Sequence, residues 1–296
     1  ARNILPSLMN LRRWKRQWLP FLASILLLAL LVTALGLGIA WSHAGPFYYL
    51  GISGVSWHIY LSLALAPPLL WHLLRHRWSL RSRFWAERRM VLRLGGLGLA
   101  GLALWQVGEL ANRLANLPGA ERRFTGSYES GSDTGNGYPA TSWLNDAPDP
   151  VDPASWTLRV QGLVENPFSL AYSDILLEPS SDTEVRATLD CTGGWHSTQD
   201  WKGIPLKHVL ELSGVKPQAA SITVRSITGY FRRFSLDEAE EYLLATSSGN
   251  ESLSHRHGFP LRLVAPGKRG FEWVKWVDEI EVNDTSKWWQ PPLPLT

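Results

Sequence analysis

Two hydrophobic regimes divide the chain. Before about residue 108, apolar residues come in long runs, and residues 19–41 (LPFLASILLLALLVTALGLGIAW) carry no charge over a length that crosses a bilayer core at 1.5 Å per residue. Residues 55–74 form a second apolar run, in which Pro67 and Pro68 remove backbone donors and favour a kink, and residues 91–108 a third, rich in glycine as close helix packing requires. Three membrane-spanning helices are expected. From residue 156 the runs shorten and alternate. WTLRVQGLV reads as a strand, SLAYSDILLE as a strand entering a short helix, and EVRATLDC as a strand ending at a cysteine. IPLKHVLELSGV has helical spacing with a terminal glycine, SITVRSI is a strand, SLDEAEEYLLA starts as a capped helix, and FPLRLVAP and WVKWVDEIEV are strands. No regular βαβ alternation appears, so the expected class is α+β. The pattern divides the chain into a membrane anchor (1–108), a Gly, Ser, Asp and Pro-rich connection (109–150) whose aromatic residues should pack on the domain, and a folded domain (151–296).

Charge adds direction. Arg12, Arg13, Lys15 and Arg16 precede the first run, six arginines between Arg75 and Arg89 precede the third, and residues 42–54 have neither lysine nor arginine. The basic flanks belong on the cytoplasmic side, which puts the N-terminus inside and, after three crossings, the C-terminal domain on the periplasmic or extracellular face of the plasma membrane. The formal net charge of +3 is therefore topological, and nucleic acid is not an expected partner. Arg88 and Arg89 before a weakly apolar helix also match a twin-arginine export signal. Many of the sixteen tryptophans fall near the ends of the apolar runs, where indole rings favour the membrane interface.

Three groups of residues could carry chemistry. His58 and His72 are 14 residues apart, on one helix face, a spacing that could hold b-type haem with ligands shared by a partner subunit. Cys191, the single cysteine, excludes an intramolecular disulfide or multi-cysteine metal site, and sits at a strand end before Thr192, Gly193 and Gly194, where its sulfur is exposed at a turn as a soft metal ligand. A buried small hydrophobe is the competing reading for a lone cysteine. His257, Arg262, Gly267, Lys268, Arg269, Gly270 and Lys275 surround the turn APGKRG, where converging backbone N–H groups and cations favour an anion. Neither a Rossmann nor a P-loop glycine pattern is present.

The ordered set LDCTGGWHSTQDWKGIPLKHVL, SITGYFRRFSLDEAEEYLLA and HGFPLRLVAPGKRGFEWVKW resembles the molybdopterin-binding domain of sulfite oxidases and bacterial periplasmic methionine sulfoxide reductase catalytic subunits, over about residues 120–288. The resemblance implies a sulfite oxidase-type fold, molybdenum bound through Cys191, and cofactor contacts from His257, Arg262 and Lys275; Thr192, Gly267, Lys268 and Gly270, in the turns beside them, are further candidates for cofactor binding. It implies oxygen-atom transfer on a small substrate, with electrons exchanged with a membrane electron-transfer subunit or quinol. His196 and Trp201, after the ligand, are expected at the open side of the metal. Where sulfite oxidases place substrate-binding arginines, this chain has Trp195, His196 and Gly135, which argues against sulfite; the family's Asp before GlyTyr is Thr228, so one pterin contact is lost or replaced. The dimerisation domain is absent from this sequence, and the expected state is a monomer or a subunit of a hetero-oligomer. The rival expectation is a non-catalytic subunit of a membrane redox complex, with haem or pigment held by its helices.

Overall fold

The computed structural model describes residues 11–76, 88–142 and 146–291. The chain divides into two compact units, Ala1–Gly126 and Ser127–Thr296.

The first unit is helical: α1 (Leu11–Ala44), α2 (Gly54–His76) and α3 (Arg88–Leu114). A two-stranded turn, β1 (Tyr48–Tyr49) with β2 (Ile52–Ser53), reverses the chain so that α2 retraces α1. His58 Nδ1 donates to the Ala34 carbonyl at 2.7 Å. Trp71, further along α2, lines a cavity with Leu22, Ala23, Ile25 and Leu26. Among the described residues two helices, not the expected three, are long and apolar enough to cross a membrane: Phe21–Ala44 and Met90–Leu114. The second apolar run does form a helix, but its two histidines, two prolines, serines and tyrosine dilute its hydropathy. Haem finds no support. His58 Nδ1 donates to the Ala34 carbonyl and His43 Nδ1 meets Asn112 Oδ1 at 2.6 Å, contacts that join helix to helix.

In the second unit two mixed sheets share one core, as the α+β expectation has it. One runs β5 (Phe168–Ala171), β4 (Thr157–Gly162), β13 (Val277–Asn283), β8 (Ser221–Ser226) and β9 (Phe231–Ser235). The other centres on β7 (Trp195–Pro205), paired with β6 (Thr183–Asp190), β10 (Leu243–Ser248) and β3 (Tyr128–Glu129); β10 also pairs with β11 (Glu251–Ser252) and β12 (Arg262–Val264). Alternating positions drive the assembly: Leu158 and Val160, Ile222 and Val224, and Ile280 and Val282 are buried to 1% exposure or less and point to one side of their sheet. Each such side chain contributes roughly 1.5–3 kcal/mol on burial.

Short helices punctuate the strands: α4 (Tyr172–Leu177), α5 (Leu206–Ser213) and α6 (Leu236–Ala239). α5 ends where Gly214 enters the left-handed region at φ 66°. α6 begins with the expected capping box, Ser235 with Glu238, but stops after one turn, and the apolar LLATSS that follows is strand β10. A strand that must pair with β7 on one side and β12 on the other overrides the local helical spacing. The polar segment 127–142 belongs to this unit, for β3 pairs in parallel with β7 and the Gly131 carbonyl accepts from Ser197 Oγ and Gln199 Nε2.

Candidate functional site

β6 delivers Cys191 to its end, and a tight turn fixes the sulfur. The Cys191 N–H donates to the Trp195 carbonyl at 2.9 Å, Gly194 N–H to the Cys191 carbonyl at 3.2 Å, and Gly193 N–H to Sγ at 3.3 Å. The next turn supports it from behind. Arg269 Nη1 pairs with Asp190 Oδ1 at 2.8 Å, and a Cβ on Gly270 would lie 3.0 Å from the Cys191 Cα, so the glycine permits the approach. Cys191 is 8% exposed, so the sulfur is buried and not exposed at the turn as expected, and burial pushes its pKa up, opposed by the Gly193 N–H, Thr141, Arg269 and Arg262.

Cys191 lines a cavity with Tyr138, Thr141, Trp195, His257, Arg262 and Lys275. A second cavity of about 340 Å³ shares Ala140 and Arg256 with it and adds Ser142, Pro148, His255 and Trp276. Arg262 is 4% exposed, and no carboxylate pairs with it among the described residues. Its Nη1 donates to the His257 carbonyl at 2.9 Å and to Tyr138 Oη at 3.3 Å, its guanidinium lies over the rings of Trp201 and Trp273, and its buried Nε has no hydrogen-bond partner. A buried cation with an orphan donor calls for an anion. Lys275 Nζ donates to Ser142 Oγ at 2.9 Å and to the Arg256 carbonyl at 3.0 Å; burial and the Arg262 charge lower its pKa to about 7. His257 is neutral, with burial lowering its pKa to about 4. Its Nε2–H donates to the Tyr138 carbonyl at 3.0 Å, and its Nδ1 accepts from Ser254 Oγ at 2.7 Å. A soft sulfur and several cations thus converge on one opening, a donor set that fits an anionic ligand carrying a thiophilic metal.

Of the residues expected from the sequence, Cys191, His257, Arg262, Gly270 and Lys275 meet at this cavity, and Thr192 adjoins it in the chain. Lys268 is turned away, paired with Glu238 at 2.6 Å; Gly267 shapes its turn with φ 77° and lies outside the cavity lining. His196 and Trp201 are not neighbours at an open face. Strand β7 alternates, burying Trp195, Ser197, Gln199 and Trp201, so residues of opposite parity face opposite sides. His196 turns to Ser127 Oγ at 3.3 Å, whereas Trp201, fully buried, donates to the Ala187 carbonyl and forms the floor beneath Arg262. Sequence reasoning missed Tyr138, Pro139, Ala140, Thr141 and Arg256 as lining residues. Tyr138 carried a signal, as one of the aromatic residues in the polar connection that are expected to pack on the domain. At the place of the missing acid, Thr228 Oγ1 donates to Asp146 Oδ2 at 3.1 Å, so a carboxylate reaches that position from another segment.

The family model described as the oxidoreductase molybdopterin binding domain matches residues 145–289. The uncharacterized oxidoreductase YuiH of Bacillus subtilis is 32% identical over 139 residues, which are 46% of this chain and 69% of that protein. The protein-methionine-sulfoxide reductase catalytic subunit MsrP of Gluconobacter oxydans is 30% identical over 45% of this chain and 48% of its own length. Spinach NADH nitrate reductase is 30% identical over 44% of this chain and 18% of its own length. The solved sulfane dehydrogenase SoxCD of Paracoccus pantotrophus aligns with 46% of this chain and 40% of its own at TM-score 0.44 and 27% identity. The chain belongs to the oxidoreductase molybdopterin-binding domain family.

Proposed function

We propose that this protein is a membrane-anchored oxidoreductase that uses a molybdenum cofactor held through Cys191 to transfer an oxygen atom to or from a small substrate. The observation that carries the reading is the convergence of the Cys191 sulfur with Arg262, whose buried Nε is unpartnered. The cofactor would supply two-electron redox chemistry and a site for the transferred oxygen. The protein supplies the rest. Cys191 would be the thiolate ligand, and Arg262, Arg256 and Lys275, which line the same cavity, would hold the anionic part of the cofactor. His257, uncharged near neutrality, orients Arg262 through its carbonyl and the Tyr138 loop through Nε2–H. Lys275, with a pKa of about 7, is poised to hold a proton when an anion arrives and release it when the anion leaves.

Trp195 stands beside Cys191 in the cavity wall where sulfite oxidases have an arginine, which favours an uncharged substrate over sulfite. A reductase acting on a sulfoxide is consistent with the MsrP similarity. Two apolar helices, each with its basic residues before its N-terminal end, cross in the same sense, and α2 retraces α1 between them. That arrangement supports a cytoplasmic N-terminus and an exocytoplasmic catalytic domain, with electrons exchanged with a membrane partner or quinol. Elemental analysis of the purified chain and of Cys191→Ser tests the reading: molybdenum should be present in the first and lost in the second. Absence of molybdenum from the native chain, produced in a cell that makes the cofactor, would favour a non-catalytic subunit.

A further inference from the structure

We propose that Arg269 is a positioning residue for Cys191: its guanidinium grips the end of strand β6 at two points and so holds the sulfur in register with the cations of the neighbouring turn. The inference rests on Cys191 being the metal ligand. Cys191 lies one residue beyond the ladder of β6 with β7, whose last pair is Asp190 with His196. Past that pair the strand end leans on the turn that holds Arg269. Asp190 and Arg269 form an isolated parallel bridge, Arg269 Nη1 donates to Asp190 Oδ1 at 2.8 Å, and Nη2 donates to the Cys191 carbonyl at 3.4 Å. The Asp190 side chain is only 8% exposed, so water competes little for this ion pair.

Arg269 is itself fixed. Its N–H donates to Glu272 Oε2 at 3.3 Å, and its carbonyl accepts from the Glu272 N–H at 2.8 Å. Gly270 lets the two backbones approach, since a Cβ there would lie 3.0 Å from the Cys191 Cα and 3.3 Å from the Asp190 carbonyl oxygen. The same segment runs on to Lys275, and its Val274 carbonyl accepts from the Leu263 N–H at 2.8 Å, next in the chain to Arg262. A planar guanidinium can bind a carboxylate and a carbonyl at once, which the point charge of a lysine cannot. The Asp190–Arg269 pair thus joins the strand that delivers the sulfur to the segment that carries the cations, and it fixes the spacing that a ligand touching both must match.

Cys191 is the single cysteine of the chain, so its rate of reaction with a thiol reagent reads how firmly the strand end is held. The experiment uses the detergent-solubilised full chain, cofactor-free and loaded. It compares Arg269→Lys and Asp190→Asn with the native protein and with Lys287→Met, which breaks the ion pair to Glu238. Arg269→Lys keeps the charge and loses one prong of the fork; Asp190→Asn keeps the shape of the partner and loses its charge. In the cofactor-free protein both should react about tenfold faster than native, the factor expected when a hydrogen bond from a charged donor is lost. Lys287→Met should react at the native rate, which separates a local loosening from a general loss of stability followed by thermal melts. Loaded Arg269→Lys should show a molybdenum electron paramagnetic resonance signal displaced from the native one. A native thiol rate in folded Arg269→Lys and Asp190→Asn, or an acceleration matched by Lys287→Met, would overturn the proposal and leave the assignment of Cys191 standing. A thiol in loaded native protein that reacts as fast as in the cofactor-free protein would instead overturn that assignment, and this inference with it.

Discussion

Arg262→Met separates a residue kept for stability from one kept for a ligand. The substitution retains the length and apolar stem of the side chain between Trp201 and Trp273 and removes its buried charge. Losses are the hydrogen bonds from Nη1 to the His257 carbonyl and Tyr138 Oη, at about 1.5 kcal/mol each for a charged donor, and cation–π attraction of about 2 kcal/mol when desolvated. The gain is relief of a desolvation cost of several kcal/mol for a cation that is 4% exposed with no carboxylate partner among the described residues. The two nearly cancel, so the cofactor-free variant should lie within about 2 kcal/mol of the cofactor-free native protein. Loading should then stabilise the native protein and not the variant, because a ligand that binds only the folded state raises stability according to its affinity. Denaturant unfolding of the detergent-solubilised chain, with and without cofactor, reads both effects. A loss above about 3 kcal/mol in the cofactor-free variant, the cost of breaking a buried structural contact, would refute the reasoning.

Other expectations follow from the same geometry. Lys275 has a folded pKa of about 7, below its ordinary 10.5, so the unfolded chain binds the extra proton between these values; stability of the cofactor-free protein should rise as pH climbs from about 7 to 10.5, and Lys275→Met should abolish that part of the slope in urea melts. Glu238 is held at about 2 by Lys268, Lys287 and Ser235, although burial opposes them; its stabilising share is present above its ordinary 4.5 and lost as pH falls toward 2, and Glu238→Gln should flatten acid unfolding over that range. Gly203→Ala would put a Cβ 2.1 Å from the Leu244 carbonyl oxygen in the β7–β10 pair, so the strands must part; thermal melts should show a loss of about 3 kcal/mol or more, with failure to fold as the extreme.

Much of the second unit was legible in the sequence because its strands follow simple alternation. TLRVQG, EVRATLD and SITVRS fold where the pattern places them, and Gly214 ends α5 as its position suggests. β7 was not legible. Its buried positions include Ser197, Gln199 and Gly203, which alternate in burial but not in hydropathy, and Ser197 Oγ and Gln199 Nε2 donate to the Gly131 carbonyl, contacts that no local pattern shows. Missing that strand had a direct consequence for the site: without its parity, His196 and Trp201 were both expected at the open side of the metal, whereas they face opposite sides. Cys191, His257, Arg262 and Lys275 were found because their segments together resemble a known family, the cysteine and the basic turn alone pointing only to a candidate ligand and anion site. Tyr138 to Thr141 were not, since a segment without periodicity becomes part of a site only through distant partners such as the His257 ring and the Trp195 indole. In the first unit, composition found the apolar helices but overcounted them, because a run interrupted by His58, Pro67, Pro68 and His72 makes a helix without making one apolar enough to cross unaided.

The central claim, that Cys191 holds molybdenum in a cofactor gripped by the surrounding cations, is tested most directly by metal content. Native protein from cells able to make the cofactor should carry near-stoichiometric molybdenum. Cys191→Ser should lose it while keeping the circular dichroism of the native fold. A native chain devoid of molybdenum, or a Cys191→Ser variant that retains it, would contradict the account.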